Sequence, residues 1–401
     1  MIRRNSRHGN RPWPTNVALW VTALGFGWVG GGYGCNPSPP GTPNPPENAP
    51  ALARPDLRLT KVDVHTHISL AAADLALRLM RDANIVVGLN ASGGTPDSGL
   101  PESHELAQSS GGRLRPLCNV ELGRAVLPDF ADYAKRTLEA CKSLGGLGVK
   151  IPKSLGLGIV DRAGILLPVD DPRLDPLFDA AGALGLPVLI HSGDPKAFFR
   201  SPDASNERHA ELLAHPGWSF YGTTTHGQPW PSWEAILDAF ERRIARHPAT
   251  KFLGAHFGNA AEDPDRVSRM LARYPNYFVD TAARVPEFGR HPAAKMRELF
   301  LRHQDRILFG SDLAVGPYGV VLGSGGAHLD PPSGAARFFM AHWEYFETAG
   351  RGLAHPTPIQ GAWTVDGIGL PRLALEKLYW RNADRLFSLG LKREQMGRGG
   401  N

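Results

Sequence analysis

Two histidines stand two residues apart in the stretch Lys61-Val-Asp-Val-His-Thr-His67. The β-branched Val62 and Val64, alternating with polar neighbours, read as a short strand. On a strand the side chains at i and i+2 leave the same face, so His65 and His67 can point at one spot. Imidazole is a common metal ligand, and two on one rigid edge make half of a metal site. With 15 His in the chain, such a pair also arises by chance. The question is whether other residues complete the ligand set.

The elements that would position them come in a repeating order. Strand-like runs over 62–65, 85–89, 114–120, 147–151, 187–191, 251–256, 277–281 and 307–310 alternate with helix-like segments over 72–82, 102–109, 129–143, 172–184, 233–247, 264–274 and 292–303. Strands alternating with helices pair in parallel, and eight such units close into a (β/α)8 TIM-like barrel. A doubly wound open sheet would more often carry a Gly-rich phosphate loop after its first strand, where this chain has His-Thr-His. Two connections are long, 192–231 after the fifth strand and 313–334 after the eighth. Both leave from strand ends at the active face of a barrel, as lids do. Residues 373–389 read as a closing helix.

At the carboxyl ends of the strands the chemistry-bearing residues recur. The first strand ends in His65 and His67, the fifth in His191, the sixth in His256 and the eighth in Asp312, while the fourth carries Lys150. In a closed barrel these ends form a ring, and one divalent ion could reach most of them. Val64-His-Thr-His67, Leu189-Ile-His191, Phe252-Leu-Gly-Ala-His256-Phe-Gly258, Ile307-Leu-Phe-Gly-Ser-Asp312 and Asn382-Ala-Asp-Arg-Leu386 resemble the amidohydrolase superfamily, in its amidohydrolase-related (family 2) branch, over roughly residues 59–389. The resemblance implies that His65, His67, His191 and Asp312 hold a metal and that His256 acts catalytically beside it.

Imidazole and carboxylate suit Zn²⁺, with Mn²⁺ or Fe²⁺ as alternatives. The ion would activate a water, Asp312 would take its proton and pass it to the leaving group, and His256 would orient the water or polarise the electrophile. Lys150 is a candidate metal bridge if carbamylated, and otherwise a salt-bridge or substrate-binding residue. Arg284, His226 and Lys153 fall near mouth-facing loops as candidate substrate-binding residues, Arg284 being suited to a carboxylate. Trp218, Tyr221 and Trp230 either line a pocket or pack the fifth loop. The expected activity is hydrolysis of an amide, ester or lactone of a small molecule. Non-oxidative decarboxylation of a small carboxylic acid is the alternative within the same site, and a non-catalytic exported binding protein is the alternative outside it.

Composition agrees with a globular chain, at 42% hydrophobic and 21% charged residues. The net charge of +5 owes most to Arg3, Arg4, Arg7 and Arg11, and no basic patch interleaved with aromatics suggests nucleic acid. Residues 1–35 resemble an export signal, with a basic start, an apolar run from Val17 to Val29 and small residues before Cys35. Thirteen apolar residues are too few to span a bilayer, which needs about 20. Cys35, followed by a proline-rich linker over 36–58, resembles the lipidated cysteine of a bacterial lipoprotein. That would place the barrel of 59–390, with a flexible tail over 391–401, in the periplasm or tethered to a membrane by a lipid anchor alone. Cys118 and Cys141 read as two buried thiols. Oligomeric state stays open.

Overall fold

A computed structural model describes residues 52–391. The export signal, Cys35, most of the proline-rich linker and residues 392–401 lie outside the described residues. Eight parallel strands alternate with helices in the order read from the sequence: β1 (Lys61–Ile68), β2 (Ile85–Asn90), β3 (Leu114–Pro116), β4 (Val149–Ile151), β5 (Val188–Ile190), β6 (Phe252–Gly254), β7 (Tyr277–Asp280) and β8 (Ile307–Leu308). Pairing runs β1-β2-β3 and β4-β5-β6-β7-β8, each in parallel register.

Two seams close the ring. Cys118 bridges Val149, donating its N–H to Gly148 O at 2.8 Å and accepting from Lys150 N at 2.7 Å. On the other side Val64 N donates to Phe309 O at 3.0 Å, and Asp312 N to His65 O at 2.9 Å. The result is a (β/α)8 barrel, the architecture expected from the alternation of elements.

The outer ring comprises α1 (Ala73–Asp82), α2 (Leu100–Ser109), α3 (Phe130–Ser143), α4 (Asp175–Leu184), α5 (Trp233–Arg246), α6 (Pro264–Arg273), α7 (Ala293–Arg302) and α8 (Ala335–Glu347). Most of them lay an apolar stripe inward. In α5, for example, Ile236, Leu237, Phe240 and Ile244 are buried at helical spacing. Ser232 caps that helix, its hydroxyl accepting from Ala235 N at 3.1 Å. Lys150, Leu189, Leu253 and Phe278 lie in one register row of adjacent parallel strands and so share a side of the sheet. Leu189, Leu253 and Phe278 pack with Val62, Val64 and Leu308 as a separate apolar cluster.

Three expectations are corrected. The segment after the eighth strand is not a bare loop: Leu313–Gly316 (β9) continues alongside the upper half of β1 and turns back as Gly319–Leu322 (β10). Leu313, Val315 and Val320 are buried there, and this burial orders the hairpin. The closing helix is broken into Arg372–Glu376, a π-turn over Lys377–Arg381, and Asn382–Phe387. Cys118 and Cys141 are joined as a disulfide, with Cα atoms 6.1 Å apart. The continuation of β3 and the inner face of α3 bring both sulfurs to the same buried spot, a contact that their separation in sequence does not disclose.

Candidate metal centre

The carboxyl ends of the strands bring His65, His67 and Asp312 together, with one ligand atom from each lying within 4.8 Å of the others. Asp312 Oδ1 is 3.5 Å from His65 Nε2 and 3.6 Å from His67 Nε2. Its other oxygen, Oδ2, faces His256 Nε2 at 3.9 Å. The i, i+2 spacing on β1 therefore does what strand geometry requires of it. Asp312 reaches this point because the chain between β8 and β9 is kinked there, with φ at 63°. His256, Phe257 and Ala283 also hold positive φ at the ends of β6 and β7. Such conformations cost non-glycine residues of order 1–2 kcal/mol each, and they collect where a site must be aimed.

Each imidazole is oriented by its far nitrogen. His65 Nδ1 lies 3.0 Å from Asp280 Oδ2, and a carboxylate can only accept, so Nδ1 carries the proton and Nε2 is left bare. His256 Nδ1 donates to Ala282 O at 2.9 Å and leaves its Nε2 bare in the same way. His67 Nδ1 pairs with Ser92 Oγ at 2.7 Å. Asp280 is itself pinned: its other oxygen accepts from His256 N at 2.8 Å and Ala282 N at 3.0 Å. This carboxylate–imidazole arrangement is how proteins fix a ligand's tautomer and raise its basicity.

Electrostatics favour the unprotonated imidazoles. Burial, with the Lys150 ammonium beside it, holds His65 well below the usual imidazole range. Enclosure and the neighbouring His65 and Lys150 do the same for His67. Burial raises the Asp312 carboxyl, opposed by His65 and Lys150. Burial likewise pushes Asp280 up to about 6 and Asp63 to about 7. Asp63 stitches β1 to the kink, accepting from His65 N and Ser311 N, each at 3.1 Å, and from the Ser311 hydroxyl. The Nε2 atoms of His65 and His67 and a carboxylate, converging from rigid strand ends, are a donor set that fits a divalent ion.

His191 packs edge-on to His256, ring centroids 4.4 Å apart, and its Nε2 faces Asp194 Oδ1 at 3.4 Å. It thus borders the three-residue cluster without belonging to it. Lys150 Nζ is 3.0 Å from His65 Nε2, at the edge of the cluster, and burial lowers its amine to about 8. Lys153 pairs with Asp194 at 2.8 Å and lies 4.5 Å from the Trp218 ring centroid. Arg284 is buried, bonded to Asn259 Oδ1 at 3.1 Å and to Ala283 O, so it braces the loops after β6 and β7. His226 is exposed in the fifth-strand loop, over Gly164.

Two residues of the site went unread in the sequence. Asp280 stands at a strand end like the ligands themselves, but behind the apolar run Tyr277-Phe-Val it reads as the end of a strand. Asp194 follows His191 by three residues. Burial raises its carboxyl, but Lys153 and His191 outweigh that and hold it at about 2.

Among solved structures, the fold is similar to 2,6-dihydroxybenzoate decarboxylase from Rhizobium (14% identity, 83% of this chain and 100% of that one, TM-score 0.47). It is also similar to a probable 2-pyrone-4,6-dicarboxylic acid hydrolase from Acinetobacter baumannii (12%, 82% and 100%, 0.45) and to 4-oxalomesaconate hydratase from Rhodopseudomonas palustris (14%, 82% and 96%, 0.45). No curated protein sequence matches. A family model described as Amidohydrolase matches residues 115–389. That span takes in β3 to the closing helix, with His191, His256 and Asp312, and β1 adds its two histidines by geometry. The chain belongs to the amidohydrolase family.

Proposed function

We propose that this chain is a metal-dependent hydrolase that adds water to an amide, ester or lactone of a small molecule. The observation that carries the proposal is the split use of Asp312, with one oxygen toward the Nε2 atoms of His65 and His67 and the other toward His256. A ligand carboxylate with a free oxygen beside a second, unliganded imidazole can also accept a proton. His65, His67 and Asp312 would hold the ion, and His191 would join them by turning its Nε2 away from Asp194. A divalent ion bound there supplies Lewis acidity and lowers the pKa of water toward ~7, and Zn²⁺ suits the donor set.

The chain's own groups then have definite tasks. Asp312 Oδ2 takes a proton from the attacking water and returns it to the leaving group. His256, its Nδ1 tied to Ala282 O, offers Nε2 on the substrate side and can hold the water or the carbonyl in line. Asp280 keeps His65 in the ligating tautomer. Lys150 stands next to His65, its amine lowered to about 8 by burial, and would give up its proton more readily than an exposed lysine. The disulfide suits an oxidising compartment, in keeping with the export signal read in residues 1–35.

The test is a screen of amide, ester, lactone and carboxylic-acid substrates in ¹⁸O-labelled water with the metal-loaded protein. Incorporation of one ¹⁸O per turnover supports hydrolysis. Release of carbon dioxide without ¹⁸O in the product transfers the site to decarboxylation, and no turnover with any class leaves a binding protein.

A further inference from the structure

The loop after β5 carries a second concave site that none of the metal-centre residues lines. The turn over Lys196–Phe199 and the start of α5 line a cleft of about 270 Å³ that opens to solvent. Its walls are aromatic: Phe199 and Phe220 sit 5.2 Å apart, and Phe220 meets Trp230 edge to face at 5.1 Å. Trp233 also lines it, only 4% exposed, and its indole Nε1 has no hydrogen-bond partner.

The cavity's charge is equally specific. Lys196 is already matched, its Nζ 2.8 Å from Glu234. Arg200 is exposed at the rim, where its charge is felt by Glu207 and Glu234 but its guanidinium makes no close ion pair among the described residues. Its guanidinium, a planar fork of donors with no bidentate partner, can take one carboxylate. The first residues of α5, a 14-residue helix, also face the cavity and add their partial positive charge. A volume near 270 Å³ is at the small end for organic ligands and has room for about one ring. Because each helix of a barrel begins where the preceding strand's loop ends, the cavity opens on the same face as the metal centre.

We propose that this is an accessory binding site for a single-ring aromatic carboxylate. The ring lies against Phe220 and Trp230, and the carboxylate pairs with Arg200. The site is separate from the reacting centre and does not depend on which reaction that centre performs.

Benzoate is the probe, with inorganic phosphate and cyclohexanecarboxylate as comparators, followed by tryptophan fluorescence and calorimetry on the full chain. His65→Ala serves as the background that removes the metal centre. Benzoate should quench fluorescence saturably at one equivalent, equally in the unmodified chain and in His65→Ala. Binding should weaken at least tenfold in Arg200→Ala and in Trp230→Ala, and cyclohexanecarboxylate should bind more weakly than benzoate. No saturable binding, binding lost in His65→Ala, or binding unchanged in Arg200→Ala would overturn the proposal. So would phosphate or cyclohexanecarboxylate matching benzoate, because the ring would then count for nothing.

Discussion

Replacing Asp280 by Asn separates the two things that this buried carboxylate does. Its Oδ1 accepts from His256 N and Ala282 N, and an Asn carbonyl can keep both bonds. Its Oδ2 accepts from His65 Nδ1, but the Asn amide there is a donor. His65 must then carry its proton on Nε2, the nitrogen that faces Asp312. The metal ligand is lost by tautomer, with the ring still in place, and a partner of this kind typically accounts for 10–100-fold in metal affinity. Stability should move the other way. Burial raises the Asp280 pKa from 3.8 to about 6, which costs the metal-free protein about 3 kcal/mol once the group is ionised. A carboxyl whose folded pKa lies above its unfolded value loses stability as pH rises from about 4 through 6, and the penalty is complete above that. Metal-free Asp280→Asn should therefore be at least as stable as the parent at pH 8, with a flatter pH dependence between 4 and 6. Denaturant melts across that range, with calorimetric Zn²⁺ titration of both proteins, check both halves. Unchanged Zn²⁺ affinity, or a metal-free variant destabilised by several kcal/mol at pH 8, would refute the reasoning.

Two further outcomes concern the frame around the site. Arg208→Ala leaves Glu211 and Glu287 buried without their cation, both side chains being 2% exposed, and should cost about 3–5 kcal/mol in denaturant melts. A loss below about 1 kcal/mol would mean that the pairing is not what holds these loops. Reducing the Cys118–Cys141 bridge, whose partners stand 23 residues apart, should cost about 3 kcal/mol from loop closure and reveal two additional thiols to alkylation. An unchanged midpoint after complete reduction would contradict the structural role of the bridge.

The barrel was legible because its signal is repeated. Eight apolar runs alternating with amphipathic segments leave few topologies, and the residues at equivalent strand ends could be compared with one another. His65, His67 and Asp312 were found in that way, and the structure brings their ligand atoms together. Asp280 stands in the same ring of strand ends, but a lone acid behind an apolar run carries no signal of its own in the sequence. The hairpin over 313–322 was read as a loop. Its strands are four residues each, with Gly316 and Gly319 next to the turn, and it exists because β1 extends far enough to pair with it. The disulfide lay beyond sequence reasoning altogether, since it depends on where α3 packs against the continuation of β3. His191 shows the opposite limit: its strand end was read correctly, but side-chain direction, here toward Asp194, is decided by neighbours from other elements.

The most direct test of the converging strand ends is metal content. Protein purified without chelator and analysed by plasma mass spectrometry should carry close to one divalent ion per chain, Zn²⁺ by its donor set, and His65→Ala and His67→Ala should each fall to background while remaining folded. A folded parent chain that takes up no ion from a micromolar supply, or variants that hold as much as the parent, would contradict the account.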